Sequence, residues 1–170
     1  MKKHSLVFFV AVLVLFRLFA CGKKMTEQQY YDKAVEYEQN EDFENAADTY
    51  LTLFKRFPSG NYGAESLFKA ALIQSNQLKQ FDRAIDTYRR LIRVFPESEY
   101  VQKSLFMIGF TYANDIKDFD KARETYREFL KKYPDNELAS SVKWELDNLG
   151  KDINDMNFFS GDSSDTTNSK

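Results

Sequence analysis

Hydrophobic positions along the middle of the chain recur at steps of three and four, the spacing of one helix face. Phe81, Ala84, Ile85, Tyr88, Leu91, Ile92 and Phe95 form one such stripe, and Phe43, Ala46, Ala47, Tyr50, Leu53, Phe54 and Phe57 form its counterpart. A third begins at Phe119 and continues through Ala122 and Tyr126 to Tyr133. Acidic residues crowd the starts of these helices (Asp42, Glu44; Asp82; Asp118, Asp120) and basic residues their ends (Lys55, Arg56; Arg89, Arg90, Arg93; Lys131, Lys132). That order complements the helix dipole, so the basic clusters need neither nucleic acid nor lipid to explain them. Pro58, Pro96 and Pro134 then stop each helix. Preceding helices are expected over 27–39, 62–76 and 99–113, the first opened by Thr26-x-x-Gln29 as a capping box. A last amphipathic helix over 136–149, with Leu138, Val142, Leu146 and Leu149 on one face, would cap the stack.

The stripes are copies of one another. Phe43-Glu44-Asn45-Ala46, Phe81-Asp82-Arg83-Ala84 and Phe119-Asp120-Lys121-Ala122 stand 38 residues apart, as do Phe57-Pro58, Phe95-Pro96 and Tyr133-Pro134. A period of this size signals helix pairs that bury a face only against their neighbours. The small residues Ala34, Ala71 and Gly109 mark where the two helices of a unit approach closest.

Composition narrows the chemistry. The 170 residues carry 24 Lys+Arg, 26 Asp+Glu, 1 His and 1 Cys, and the last two are His4 and Cys21. Met1-Lys2-Lys3-His4 precedes an apolar run from Leu6 to Phe16, short of a membrane span but suited to an export signal. Leu18-Phe19-Ala20-Cys21 resembles a lipobox, so 1–20 reads as a lipoprotein signal peptide, Cys21 as the lipidated residue and 21–25 as a short linker. Alternatives are an ordinary signal peptide or an uncleaved anchor. Cleavage removes Lys2, Lys3 and Arg17 and no acid, taking the formal net charge from −2 to −5, a poor match to nucleic acid. The remaining domain has no imidazole and no free thiol, which excludes Ser/His/Asp and Cys/His catalysis and His- or Cys-ligated metal. No Gly-rich phosphate loop or G-x-S-x-G occurs. The acidic stretch from Asn114 to Asp120 lacks the Gly and bidentate Glu of a calcium loop and reads as an inter-helix turn. No enzyme activity, cofactor, metal or small-molecule substrate is therefore expected.

The repeated residues resemble the tetratricopeptide repeat. Its aromatic, small, Tyr, Ala, Tyr and Pro pattern is met by Tyr30, Ala34, Tyr37, Ala46, Tyr50 and Pro58, then by Leu67, Ala71, Ala84, Tyr88 and Pro96, then by Leu105, Gly109, Tyr112, Ala122, Tyr126 and Pro134. Gln74 stands where Tyr is usual, and Leu53, Leu91 and Phe129 where Ala is usual. The resemblance implies an all-α solenoid over 26–149, with repeats about 26–58, 59–96 and 97–134, a capping helix 135–149 and a disordered polar tail 150–170. Within that tail, Met156-Asn157-Phe158-Phe159 reads as either a short docking segment or a packing segment for the last helix. The 38-residue period, with Phe-Pro-x-Gly-x-Tyr ending at Tyr62 and Phe-Pro-x-Ser-x-Tyr ending at Tyr100, is similar to envelope repeat proteins of the BamD-like lipoprotein and YbgF periplasmic types. This resemblance implies a non-enzymatic scaffold that binds envelope proteins, in outer-membrane protein assembly or beside the Tol–Pal division machinery, held at the outer membrane by lipid and facing the periplasm.

In repeats of this kind the first helices line the concave face. The positions three before and one after each small residue are Tyr31 and Val35, Phe68 and Leu72, Phe106 and Phe110, with Trp144 in register on the last helix. This aromatic ladder is the candidate partner groove for an extended apolar segment, with the amides of Gln28, Gln39, Asn76 and Asn114 placed to hold its backbone. The competing arrangement buries the ladder between successive helices.

Overall fold

The computed structural model describes residues 24–151. These form three helix hairpins and one closing helix: α1 (Glu27–Gln39) with α2 (Phe43–Arg56), α3 (Gly63–Asn76) with α4 (Phe81–Val94), α5 (Tyr100–Phe110) with α6 (Phe119–Lys132), then α7 (Ala139–Asp147). Each helix packs on the next in sequence, giving the all-α stack of the tetratricopeptide type. The signal segment, Cys21 and the tail beyond Lys151 lie outside the described residues.

Local chemistry explains the ends. Thr26 and Gln29 form the reciprocal capping box of α1, Thr26 Oγ1 accepting from Gln29 N–H at 3.2 Å and Gln29 Oε1 from Thr26 N–H at 2.9 Å. Asp42 and Asp118 cap α2 and α6 through the backbone N–H groups of Asn45 and Lys121. Helices α2, α4 and α6 stop two residues before their prolines. Proline excludes the helical region for the residue preceding it, and Phe57, Phe95 and Tyr133 all have φ near −130°. Between the helices of each hairpin one residue is left-handed: Glu41 (φ 57°), Lys79 (φ 55°) and Lys117 (φ 64°), again 38 apart and none of them glycine.

Three helices differ from expectation. Helix α3 starts at Gly63, with Tyr62 as its cap. Helix α5 starts at Tyr100 and continues beyond Phe110 as a π-helical segment, Thr111–Ile116. The continuation of α5 has its reason in a spacing that changes: Ala34 to Glu41 is seven residues, but Ala71 to Lys79 and Gly109 to Lys117 are eight. The extra residue falls at the end of the first helix, where hydrogen bonds reaching five residues back absorb it. Asn40 N–H bonds four back to Glu36, while Leu78 N–H bonds five back to Ile73, and in the third hairpin the pattern lengthens into the π segment. Helix α7 is shorter than 136–149, because Asn136 Oδ1 accepts from Leu138 N–H at 2.9 Å and holds that stretch in a turn. At its far end Gly150 takes φ 80°.

The repeat-defining residues occupy matching places. Ala46, Ala84, Ala122, Tyr50, Tyr88 and Tyr126 are fully buried, and Pro58, Pro96 and Pro134 are exposed. Leu53, Leu91 and Phe129, larger than the usual alanine, are also fully buried, each stabilising the stack by about 1.5–3 kcal/mol on burial. The stack closes on a polar face: 38 residues after Leu105 and Gly109 come Lys143 and Asp147, both exposed, while Ala139 and Val142 bury the inner side of α7.

Candidate partner groove

The ladder residues fall into one repeated arrangement. On α1, the Tyr31 ring stacks on Tyr62 (centroids 4.4 Å apart) and meets Tyr50 edge-on at 5.9 Å. On α3, Phe68 lies 5.1 Å from Tyr100 and 5.8 Å from Tyr88. On α5, Phe106 lies 6.3 Å from Tyr126 and 6.1 Å from Phe110. Each rung therefore sits on the buried tyrosine of its own hairpin. In the first two hairpins its other side meets the tyrosine that opens the next first helix. Leu138, partly buried, packs on the cluster that contains Phe106.

This arrangement divides the two readings of the ladder. Tyr31, Val35, Phe68, Leu72, Phe106 and Phe110 are half-buried, their inner edges in the core, and Trp144 is 47% exposed. The covering role of Tyr62 and Tyr100 is the part sequence reasoning missed, although the Phe-Pro-x-Gly/Ser-x-Tyr motif carried the signal: a tyrosine placed six residues ahead of the next aromatic rung.

Polar groups fix the rings. Tyr31 Oη donates to Glu65 at 2.5 Å, and Tyr50 Oη donates to Glu38 at 2.5 Å, whose carboxylate also pairs with Lys69 at 3.4 Å. Burial first, and the neighbouring carboxylates second, push both hydroxyls well above the ordinary tyrosine value, so they act as neutral donors. Tyr126 is raised in the same way beside Glu145, and burial also raises the Glu145 carboxyl. Of the candidate amides, Gln28 is engaged, donating to Asp32 at 2.7 Å and accepting from Tyr62 Oη, and Asn114 donates to the Phe110 carbonyl at 3.3 Å. Gln39 and Asn76 are exposed. The stretch from Asn114 to Asp120 is spent on the π segment and on the α6 cap, where Asp118 also pairs with Lys121 at 2.7 Å.

The edge of the stack where the chain enters is defined by close contacts. Glu27 Oε1 accepts from Tyr62 N–H at 2.7 Å, and the Arg56 guanidinium lies 5.5 Å over the Tyr30 ring. The start of α1 thus lies beside the end of α2 and the cap of α3. No helix among the described residues is long and apolar enough to cross a membrane. Among the same residues no group of three or more His, Cys, Asp or Glu converges in the manner of a metal site.

A family described as outer membrane lipoprotein, YfiO, matches residues 23–157, which include the whole stack. A search of curated proteins returns no match.

Proposed function

The chain belongs to the YfiO family of outer membrane lipoproteins, and on that premise we propose that it is a non-enzymatic scaffold of the bacterial envelope with a BamD-like role in outer-membrane protein assembly. Cys21 carries the lipid, and the first helices present the ladder to an extended apolar segment of a partner protein. The family match is the observation that carries this reading and favours it over a place beside the Tol–Pal machinery. The geometry supports it in two ways. Cys21 precedes Glu27, the first residue of α1, by six residues, so an anchor there is separated from the stack by no more than about 20 Å of extended chain. The rungs keep their outer edges accessible while their inner edges are held, so the face is already ordered before a partner arrives.

Photo-crosslinking in cells from Phe68 and Phe106 tests the groove. Capture of barrel-assembly components or nascent barrel proteins is the expected outcome; capture of Tol–Pal components, or of nothing, would overturn it. Replacing Phe68 and Phe106 with Ser adds a control, since a large loss of thermal stability with no partner-specific defect would assign the rungs to the core alone. Cys21→Ser is expected to release the protein into the soluble envelope fraction, and unchanged membrane retention would refute the anchor.

A further inference from the structure

A cavity of about 450 Å³ opens at the C-terminal end of the stack, beside Glu145, the acceptor of Tyr126. Its walls are Asn114 and Lys117 from the π segment and its left-handed turn, Phe119 from the start of α6, and Trp144 and Glu145 from α7. Val94, Phe119 and Trp144 are the large exposed hydrophobics of the described residues, and two of the three line this one cavity. The chain itself turns toward it. Gly150 adopts φ 80°, a conformation that reverses direction after a helix. A Cβ placed there would lie 3.5 Å from the Phe119 ring, and Lys151 N–H bonds back to the Asn148 carbonyl at 3.0 Å. Gly150 and Lys151, where the described residues end, thus form the rim.

The residues beyond Lys151 match this lining. The sequence continues Asp152-Ile153-Asn154-Asp155-Met156-Asn157-Phe158-Phe159, after which residues 160–170 contain no apolar side chain. All the apolar content of the C-terminal segment is therefore within eight residues of the rim, a reach of up to about 26 Å. Asp152 and Asp155 complement the exposed Lys117. The family match also runs past Lys151 to residue 157.

We propose that residues 153–159 dock into this cavity of their own chain, with Met156, Phe158 and Phe159 covering Phe119 and Trp144. Tethering supplies an effective concentration on the order of mM, so modest contacts suffice to keep the segment bound. The inference does not depend on the partner groove; it assigns Trp144 an occupant from within the chain.

Trp144 is the single tryptophan, so its fluorescence reads the cavity directly. The full chain carrying Cys21→Ser is compared with the same chain carrying Phe158→Ser and Phe159→Ser, with far-UV circular dichroism confirming that both fold. The docked segment should shield Trp144, and the double variant should show red-shifted emission and about a twofold rise in acrylamide quenching. A synthetic peptide of residues 152–160 should restore the shielding saturably in the double variant and change nothing in its parent. Identical emission and quenching in the two chains would overturn the proposal. So would shielding that disappears on dilution, which would assign the cavity to a second copy, or shielding of the parent only after a partner protein is added.

Discussion

At Tyr88 the middle hairpin buries a hydroxyl with no hydrogen-bond partner among the described residues, whereas at the matching places Tyr50 donates to Glu38 and Tyr126 to Glu145 at 3.5 Å. The cause lies on two helices. Glu38, four residues after Ala34, is Tyr50's acceptor on its own hairpin; the matching Ser75 lies against Thr111 at 3.5 Å and the matching Ala113 has no polar side-chain atom, so Tyr126 takes its acceptor from Glu145 on the next helix, where the residue 38 places earlier, beside the middle hairpin, is Met107. The middle hairpin departs twice more. Gln80 occupies the cap position with nearly the same backbone angles as Asp42 and Asp118 but makes no capping bond. Gln74 replaces a tyrosine and is satisfied by Thr87 Oγ1 at 2.8 Å. Similar backbones thus carry unequal polar networks, because Tyr50 and Gln74 find their partners within their own hairpin and Tyr126 finds its partner on the following helix.

The contrast among the hairpins is tested most severely in the third. A Cβ on Gly109 would collide with the Tyr126 ring, its Cδ1 at 2.7 Å, where the first two hairpins accommodate Ala34 and Ala71. Gly109→Ala should lower stability by about 2 kcal/mol through overpacking, while Ala71→Gly should lose only about 1 kcal/mol through backbone entropy; urea unfolding measures both. Next come the tyrosine pairs. Tyr88→Phe should raise stability by about 1 kcal/mol by removing an unsatisfied buried hydroxyl, and Tyr50→Phe should lower it by about the same amount, so thermal unfolding should shift in opposite directions for one chemical change. Gln80→Asp, which equips the middle hairpin with its neighbours' cap, should add about 0.5–1 kcal/mol, with helical signal retained to higher temperature.

The smallest effect is in pH. Because burial raises the Glu145 carboxyl, the folded state holds that proton more tightly than the unfolded state, so its contribution to stability falls as pH rises above the ordinary glutamate value of 4.5. Glu145→Gln should remove that decline, and the two melting temperatures should draw apart as pH changes from 4.5 toward neutrality. Parallel curves would place Glu145 in open solvent.

Most of the fold was legible because the hydrophobic period was repeated three times, so each stripe corroborated the others. The buried alanines and tyrosines, the stops before Pro58, Pro96 and Pro134, and the capping box at Thr26 all follow from local chemistry. The π segment was not foreseen, although the eight residues from Gly109 to Lys117, against seven from Ala34 to Glu41, make room for it. The ladder was legible as a row but not in its exposure, which depends on how far Tyr62 and Tyr100 reach over the preceding rung. The cavity beside Trp144 carried no sequence signal of its own, since its walls come from three separate segments.

Helical periodicity, capping and proline act over a few residues, so the order of amino acids alone dictates the helix pairs, their succession and the residues at each small-residue crossing. Three outcomes arise only once the helices pack: which tyrosine hydroxyl is satisfied, how much of each aromatic rung faces outward, and where the stack leaves a cavity. They depend on side chains 12 to 34 residues apart meeting across a helix interface, where a single position, Ser75 against Glu38 or Met107 against Glu145, changes the chemistry without disturbing the pattern.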